Sequence, residues 1–335
     1  MSSWTPPDDV RRRIFEEEIV PVVFGGRVEP SGQPTLLLLG GQPGAGMSQA
    51  AGQLSAEHGG MVALRGDDLG SFHPHYEDLT RSRSVDARQV MAESTAEWLR
   101  DCLAHARTTK RSLLLEGTFH TPRVALGTAA LFAKEGFMTR VAVVATPRSE
   151  SLLSATSRYL RDFHAGRSAK FTSLDIHDRG WAGTRNLIAE LEASPSVDRV
   201  TILGRDGETI FDSTRDAAIR FSGASRTLRQ QQSAPMTPAR TMQWLSELRA
   251  VTVFAMDRSP TPKPVAELLA ELHQIALREV VPATPLPATS TARPDILRTL
   301  ERRLSALQRG MRSSTGDVAA PSVSPASPSQ GPLFN

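Results

Sequence analysis

The chain has 335 residues and a formal net charge of +3, since 39 Lys and Arg oppose 36 Asp and Glu. This length fits one large domain with additions, or two domains, and an apolar content of 39% supports a sizeable core and excludes disorder of the whole chain. Because the basic residues are scattered along the sequence, we predict no nucleic-acid surface.

The single cysteine, Cys102, excludes an internal disulfide framework or a cysteine-based zinc cluster, as is typical of a reducing compartment. The polar, proline-bearing residues 1–9 lack the features of a signal peptide. No apolar run approaches the ~20 residues that a membrane span requires. We therefore predict a soluble, cytoplasmic protein without a membrane segment.

Strand and helix patterns alternate through the first two thirds of the chain. After a predicted leading helix at residues 8–20, short apolar runs typical of buried strands lie at 35–39, 61–64, 112–115, 139–144 and 199–203. Helical patterns lie at 47–58, 85–106, 122–134, 150–162 and 175–191. This alternation predicts parallel β-α-β units, and hence an α/β fold with a parallel sheet flanked by helices.

The sequence changes character after residue 221, which we take as the end of a first domain of residues 1–221. Residues 222–240 are rich in Ser, Gln, Pro and Arg and are predicted to be a linker. Helical spacing returns in residues 241–310, predicted as a C-terminal helical extension. The Ser- and Pro-rich residues 311–335 are predicted to be disordered.

A glycine-rich segment directly follows the first predicted strand. It fits the phosphate-binding loop pattern GxxxxGK[ST], except at the lysine, with the residues Gly41, Gln42, Pro43, Gly44, Ala45, Gly46, Met47 and Ser48. Between a strand and a helix, such a turn directs backbone N–H groups at a polyphosphate. We predict a site for ATP, with the Ser48 hydroxyl offered to Mg²⁺. The alternative is a glycine-rich turn with no ligand.

Acidic residues end the next two predicted strands. Asp67 and Asp68 follow the second strand, where a carboxylate can meet a substrate hydroxyl at the carboxyl edge of a parallel sheet. Glu116 ends the third strand, as an acid associated with Mg²⁺ would. For both positions the alternative is the capping of a turn or helix.

Two histidines, His73 and His75, lie in the segment FHPHYEDL, close to the Asp pair. Without cysteine partners or an HExxH pattern, a zinc site is disfavoured. We interpret these histidines as residues that order a loop covering the substrate.

Three segments together, LLLLGGQPGAGMS, LRGDDLGSFHPHYEDL and LLLEGTFHTP, resemble the zeta toxins, a family of P-loop kinases in which these blocks occur in the same order. The resemblance covers about residues 10–215. It implies a P-loop NTPase-type fold and the phosphorylation of a hydroxyl of UDP-N-acetylglucosamine, with ATP and Mg²⁺. It also implies a small helical antitoxin as a partner in many systems.

The resemblance implies a role for each matching residue. Asp67 is the implied general base, and Arg158 and Lys170 are the implied cations on the transferring phosphates. Arg158 has an alternative as a solvated residue on a helix. Substrate contacts are implied for Glu116 and Thr118, and His120 stands where an arginine that contacts substrate or phosphate is expected. Asp68 is also predicted to lie at the substrate, with the alternative that it is itself the general base.

Four positions depart from the family pattern. Met47 replaces the loop lysine, Gly70 stands where a basic residue is common, and His120 and Lys170 each replace an arginine. Lys170 keeps the charge but loses bidentate geometry. Together these departures indicate an altered substrate, weakened turnover or a descendant that only binds nucleotide. Two functions therefore stay open: a small-molecule kinase, and an ATP-binding protein that acts through a protein partner.

Overall fold

The computed structural model describes residues 4–26, 32–82, 84–167, 169–193, 195–215, 221–257, 261–284 and 290–313. One sheet contains the strands β1 Thr35–Gly40, β2 Val62–Arg65, β3 Leu113–Gly117, β4 Met138–Val144, β5 Arg199–Leu203 and β6 Thr209–Thr214. The spatial order is β2-β3-β1-β4-β5-β6, and only the last pair, β5 and β6, is antiparallel. The predicted α/β class is confirmed.

Helices flank the sheet and continue beyond it. The first group comprises α1 Asp8–Ile14, a π-helical turn Phe15–Ile19, α2 Val20–Phe24, α3 Met47–Glu57, a 3₁₀ helix Gly66–Phe72, α4 Tyr76–Arg81, α5 Val85–Thr108, α6 Pro122–Lys134, α7 Arg148–His164 and α8 Leu174–Ala193. The second comprises α9 Ala224–Gln232, α10 Pro238–Met256, α11 Lys263–Ile275, a π-helical turn Ala276–Val280, α12 Val281–Ala283 and α13 Ala292–Ser313. Among the described residues, no helix is long and apolar enough to cross a bilayer.

The central strand β1 is buried on both faces of the sheet. Leu36 and Leu38 belong to one apolar cluster, whereas Leu37 and Leu39 belong to another. Successive side chains of a strand point to opposite faces, so an uninterrupted leucine run fits a sheet that is covered by helices on both sides. The end of β1, where the glycine-rich segment begins, is thereby held in a rigid setting.

Helix α7 packs against the C-terminal helices and against α8. Its residues Leu152, Leu153 and Leu160 form a further apolar cluster with residues of α10, α11 and α13, including the fully buried Leu269 and Leu272. The predicted helical extension therefore exists and packs directly on α7. Burial of large apolar side chains is the main source of stability for such a contact.

The predicted linker at residues 222–240 is wrong for its first half, because α9 lies there. Phe221 and Leu228 are buried in the cluster beneath the sheet. The carboxylate of Glu192 accepts hydrogen bonds from the backbone N–H groups of Gly223 and Ser225, at 2.7 and 3.0 Å. An acidic group from another helix thus caps the start of α9, which local composition does not reveal.

The predicted disordered tail also begins too early. Helix α13 extends through Ser313, so residues 311–313 are helical. The rest of the predicted tail, residues 314–335, lies outside the described residues.

A charged contact ties the extension to the helices beside the sheet. Arg148 of α7 donates two hydrogen bonds to the carboxylate of Asp178 in α8, both at 2.8 Å, and one to Glu271 in α11 at 2.7 Å. Partial burial alone would raise the pKa of Asp178, but hydrogen bonds from His177 and Arg148 hold it well below its usual range. A bidentate arginine pair of this kind fixes both distance and orientation.

We expect Glu271→Gln to lower the free energy of unfolding by about 1 kcal/mol, because it removes a partly buried charge from a network. The matched control is Glu77→Gln, which breaks the exposed Arg81–Glu77 pair. We expect the control to change stability by less than ~0.5 kcal/mol. Urea unfolding of both variants measures the difference, and equal effects would show that the Arg148 contact does not stabilise the docking of the extension.

Candidate functional site

The glycine-rich segment forms a compact turn between β1 and α3. Gly44 has φ +81° and Gly46, at the N-cap of α3, has φ +105°. A Cβ atom on Gly44 would lie 2.1 Å from the carbonyl oxygen of Ser151. Only glycine fits this close approach and this backbone conformation. The turn therefore has the strand-to-helix geometry of a phosphate-binding loop.

Contacts from neighbouring elements hold this turn in shape. The fully buried Gln42 donates from Nε2 to the Thr146 carbonyl at 2.8 Å and to Ser151 Oγ at 3.2 Å. The Thr146 hydroxyl donates to the carbonyl of Ala45 at 2.7 Å. The other amide atom of Gln42, Oε1, is buried without a hydrogen-bond partner. Because breaking buried hydrogen bonds is costly, the bonds of Gln42 and Thr146 stabilise this loop conformation without any ligand.

Met47 is partly buried and packs against the apolar cluster that contains Leu37 and Leu39. A Cβ atom on Gly41 would lie 3.1 Å from Met47 Cγ and 3.3 Å from Sδ. The methionine side chain thus lies against the start of the loop. It supplies packing where the general pattern supplies an ammonium group.

Arg65, the last residue of β2, joins the loop to the neighbouring strand. Its Nη2 donates to Ser48 Oγ at 2.9 Å, and its Nε lies 2.9 Å from Glu116 Oε1. Arg65 and Glu116 are register partners in the parallel pair of β2 and β3. The Glu116 side chain is only 8% exposed, so this pair is shielded on the carboxylate side.

Asp67 and Lys170, which are 103 residues apart in sequence, form a direct ion pair in the structure. Both side chains are about half exposed. Asp68 is exposed beside them, and desolvation raises its pKa, against the lowering effect of the positive charge on Arg65. The structure therefore brings Asp67 and Lys170 to the edge of the sheet where Arg65 meets Ser48.

The residues after β3 adopt a strained turn. Phe119 has φ +38°, an uncommon value for a non-glycine residue, and its ring lies against the two strand-end glycines Gly40 and Gly117. A Cβ atom on either glycine would come within about 3 Å of this ring, at 2.9 and 3.1 Å respectively. Strain of this kind persists only where surrounding contacts enforce it, and it is common at functional sites.

This turn brings Thr118 and His120 together. The Thr118 hydroxyl lies 2.9 Å from His120 Nε2. Burial lowers the pKa of His120, so the imidazole is neutral near pH 7. Gly183 of α8 allows the helix to approach closely, because a Cβ atom there would lie 2.9 Å from the His120 backbone. The contact of Thr118 and His120 with substrate stays a prediction.

Arg158 is exposed on α7. Ser151 and Ala155 of the same helix contact the loop at Gly44. Because Arg158 follows Ser151 by seven residues, it lies on the same face of α7, one turn beyond Ala155. This position suits the predicted phosphate contact, and the solvated alternative stays open.

Sequence reasoning missed a buried group that supports the loop. His177 is fully buried, and its Nε2 lies 2.9 Å from Ser151 Oγ, while its Nδ1 lies 3.0 Å from Asp178. Although Ser, His and Asp in contact resemble a nucleophilic triad, Ser151 also donates to the Pro147 carbonyl and accepts from Gln42. We interpret the group as structural. The only sequence signal was the His177-Asp178 dipeptide.

Arg65 was also missed, although it directly precedes the Gly66-Asp67-Asp68 segment that drew attention. Its strand-end position at the carboxyl edge of the sheet was the available signal. In the part of the chain that the structure describes, no group of three or more His, Cys, Asp or Glu residues has an arrangement that would hold a metal ion. The backbone N–H of His75 donates to His73 Nδ1 at 3.1 Å, which restrains the segment locally. That this segment covers the substrate stays a prediction.

A mostly parallel sheet with a glycine-rich phosphate-type loop after the strand β1, and carboxylates at the same edge, defines the class of P-loop kinase-like α/β proteins. Comparison with known proteins gives the family. The model of the zeta toxin family matches residues 24–216, and the chain belongs to this family.

Individual relatives are similar to slightly more than half of this chain. Toxin PezT of Streptococcus pneumoniae is 29% identical over 185 residues, which cover 55% of this chain and 73% of PezT. Toxin zeta of Streptococcus agalactiae is 24% identical over 188 residues, covering 56% of this chain and 66% of that toxin.

Solved structures show the same fold. A structure of the PezAT chromosomal toxin–antitoxin system of S. pneumoniae aligns with a TM-score of 0.63 at 22% identity, over 74% of this chain and 98% of that chain. A complex of AvrRxo1-ORF1 and AvrRxo1-ORF2 with ATP aligns with a TM-score of 0.50 at 15% identity, over 78% and 89% of the two chains. At these identities the likeness concerns the fold alone.

We expect Gly44→Ala to lower the free energy of unfolding by about 2–4 kcal/mol, because the new methyl group meets the α7 backbone and φ is unfavourable. The control is Gly52→Ala in α3, where a Cβ atom meets nothing within 4 Å. This exposed helical position should gain ~0.5–1 kcal/mol. Thermal and urea unfolding measure both, and a tolerated Gly44→Ala would mean that the loop does not have the described conformation.

We expect stability to depend on His73 at mildly acidic pH. Burial, with a smaller effect of His75, lowers the His73 pKa from 6.5 to about 4. The neutral ring is therefore favoured in the folded state, and its contribution is complete above pH 6.5. That contribution should fall by up to about 3 kcal/mol as the pH drops from 6.5 to 4.

The variant His73→Gln removes the titrating ring but keeps a hydrogen-bond acceptor. We expect it to flatten the dependence of the unfolding free energy on pH between 6.5 and 4, measured by urea unfolding. An unchanged pH profile in the variant would show that His73 is not the group responsible.

Proposed function

We propose that this chain is an ATP-dependent kinase that phosphorylates a hydroxyl of a sugar nucleotide similar to UDP-N-acetylglucosamine. The observation that carries the proposal is the placement of a preformed phosphate-type loop and the Asp67–Lys170 pair at one edge of the sheet, where Arg65 is bonded to Ser48 of the loop and attracts the charge of Asp67. Membership of the zeta toxin family supports the same chemistry. The AvrRxo1 complex with ATP supports nucleotide binding by this fold.

In the proposed reaction, Asp67 accepts the proton of the acceptor hydroxyl as its oxygen attacks the γ-phosphorus of ATP. The bond between the γ-phosphorus and the bridging oxygen breaks, and ADP leaves with that electron pair. Lys170 and Arg158 balance the charge of the transferring group. The loop N–H groups hold the remaining phosphates.

Substrate binding is assigned to the residues that follow β2 and β3. Thr118 and the neutral His120 offer a hydroxyl group and an imidazole on a fixed turn. Asp68 and Glu116 add carboxylates that can accept hydrogen bonds from sugar hydroxyls. Glu116 is largely buried against Arg65, so its contribution also includes the placement of that arginine.

Mg²⁺ would shield the ATP phosphates and be held by Ser48 together with phosphate oxygens. The hydroxyl type and its position at the start of α3 fit this role. In the structure, the guanidinium of Arg65 donates a hydrogen bond to the Ser48 hydroxyl. A divalent cation and a guanidinium repel each other, so Arg65 must leave Ser48 when the metal binds.

A second function is favoured by one observation, the packing of Met47 into an apolar cluster instead of a charge at the loop. In this case the chain binds ATP without useful turnover and acts through a protein partner, such as a small helical antitoxin. The PezAT relative is described as a toxin–antitoxin system.

We expect the purified protein to transfer ³²P from γ-labelled ATP to UDP-N-acetylglucosamine in the presence of Mg²⁺. Asp67→Asn should reduce the rate by about 10²–10⁴-fold, the usual contribution of a general base, with ATP binding retained. Asp68→Asn is the matched control and should reduce it far less. A larger loss in Asp68→Asn would reassign the base to Asp68.

The variant Met47→Lys separates the two functions. If the protein is a weakened kinase, restoring the lysine should raise turnover. ATP binding by calorimetry without product from either protein would favour the binding function and reject this substrate.

A further inference from the structure

The loop lacks one full positive charge that phosphate transfer needs. In the general pattern a lysine reaches the β- and γ-phosphates, whereas Met47 packs on apolar side chains here. Backbone N–H groups and the α3 N-terminus carry only partial charges. A triphosphate bound at this loop therefore requires a cation from another element.

Arg65 is the cation that contacts the helix end of the loop. Its guanidinium binds Ser48 Oγ at 2.9 Å, at the residue that follows Met47. The side chain is 41% exposed, so it is accessible from solvent. A phosphate group seated on the loop next to Ser48 would meet this guanidinium directly.

The nitrogen atoms of the Arg65 guanidinium have different partners. Nε is anchored by the buried carboxylate of Glu116 at 2.9 Å, and Nη2 reaches Ser48. An arginine has five N–H donors in a planar fork. Among the described residues, no third group accepts a hydrogen bond from Arg65, although Asp68 and Asp67 also attract its charge, so the remaining donors are available for phosphate oxygens. Glu116 thus keeps the side chain extended toward the loop.

Two other cations near the loop, Lys170 and Arg205, already have protein partners. Lys170 is paired with Asp67. Arg205 donates from Nη1 to the Gly44 carbonyl at 2.9 Å and lies 3.9 Å from Glu150. A guanidinium bound to a loop carbonyl supports the turn from outside. Arg65 instead contacts a side chain at the helix end of the loop, where phosphate charge concentrates.

We infer that Arg65 supplies the phosphate-binding charge that Met47 lacks, and that Glu116 acts as its positioning residue. This inference rests on the proposed ATP site. On nucleotide binding, the Nη end of Arg65 exchanges Ser48 for phosphate oxygens while Nε stays on Glu116. The exchange releases the Ser48 hydroxyl for Mg²⁺. Arginine suits this role because its fork matches two phosphate oxygens.

The test measures binding of ATP and AMP by calorimetry at fixed salt, with and without Mg²⁺. AMP lacks the β- and γ-phosphates, so it controls for general damage to the site. We expect Arg65→Met to weaken ATP binding by about 10- to 100-fold, the range for lost charged hydrogen bonds, and to change AMP binding little. Adding Met47→Lys to Arg65→Met should restore most of the ATP affinity.

Two further variants address folding and the competing cation. Arg65→Met leaves the buried Glu116 unpaired, so Arg65→Met with Glu116→Gln removes that charge as well and should show the same loss of ATP affinity. Arg205→Met tests the other arginine at the loop. Thermal unfolding of every variant confirms that it is folded.

Each outcome is decisive. Wild-type protein that does not bind ATP would overturn both the proposed function and this inference. Wild-type protein that binds ATP, with Arg65→Met and its Glu116→Gln double variant unchanged, would overturn the inference alone. A selective loss of ATP affinity in Arg205→Met instead of Arg65→Met would assign the charge to Arg205.

Discussion

The contact between the loop and helix α7 governs the rest of the site. Gly44 approaches the backbone of Ser151 so closely that no side chain fits between them. Gln42 and Thr146 then fix the polar groups of the turn by buried hydrogen bonds. Because these hydrogen bonds would be costly to break, they stabilise the shape of the loop before any ligand arrives. Preorganisation of this kind lowers the cost of binding a charged ligand.

The carboxyl edge of the sheet gathers residues that are distant in sequence. Register between β2 and β3 puts Arg65 beside Glu116, and the following 3₁₀ helix carries Asp67 to Lys170. Alternating charges along this edge, from Glu116 through Arg65 to Asp67 and Lys170, allow each group to be oriented by its neighbour. The substitution of one member therefore affects the others, as is general for groups in one network.

Sequence patterns predicted the sheet, the order of helices around it, the glycine-rich loop and the family. Short apolar runs identified all five parallel strands, since burial on both faces imposes a continuous apolar sequence. The antiparallel β6 escaped, because its half-exposed residues lack such a run. Helix α9 escaped because its stability depends on Glu192 and on the buried Leu228, contacts that local composition does not report.

The same division applies to the site. The loop and the acidic positions were found because their residue types match a local pattern. Arg65, Ser151 and His177 were missed because each acts through partners from other elements: Ser48, Gln42 and Asp178, respectively. Such relationships depend on register and helix packing. The catalytic roles that the family resemblance implies for Asp67, Arg158 and Lys170 stay predictions.

The shared position of α7 determines how this protein can be divided. One side of the helix supports the glycine-rich turn, and the other supplies leucines to the C-terminal helices. A shortened chain that stops before α10 would keep every residue of the candidate site. It would also expose the apolar residues of α7 that pack against the C-terminal helices in the full chain. We therefore expect such a fragment to aggregate or to seek a substitute helix, so the two halves should be expressed as one piece.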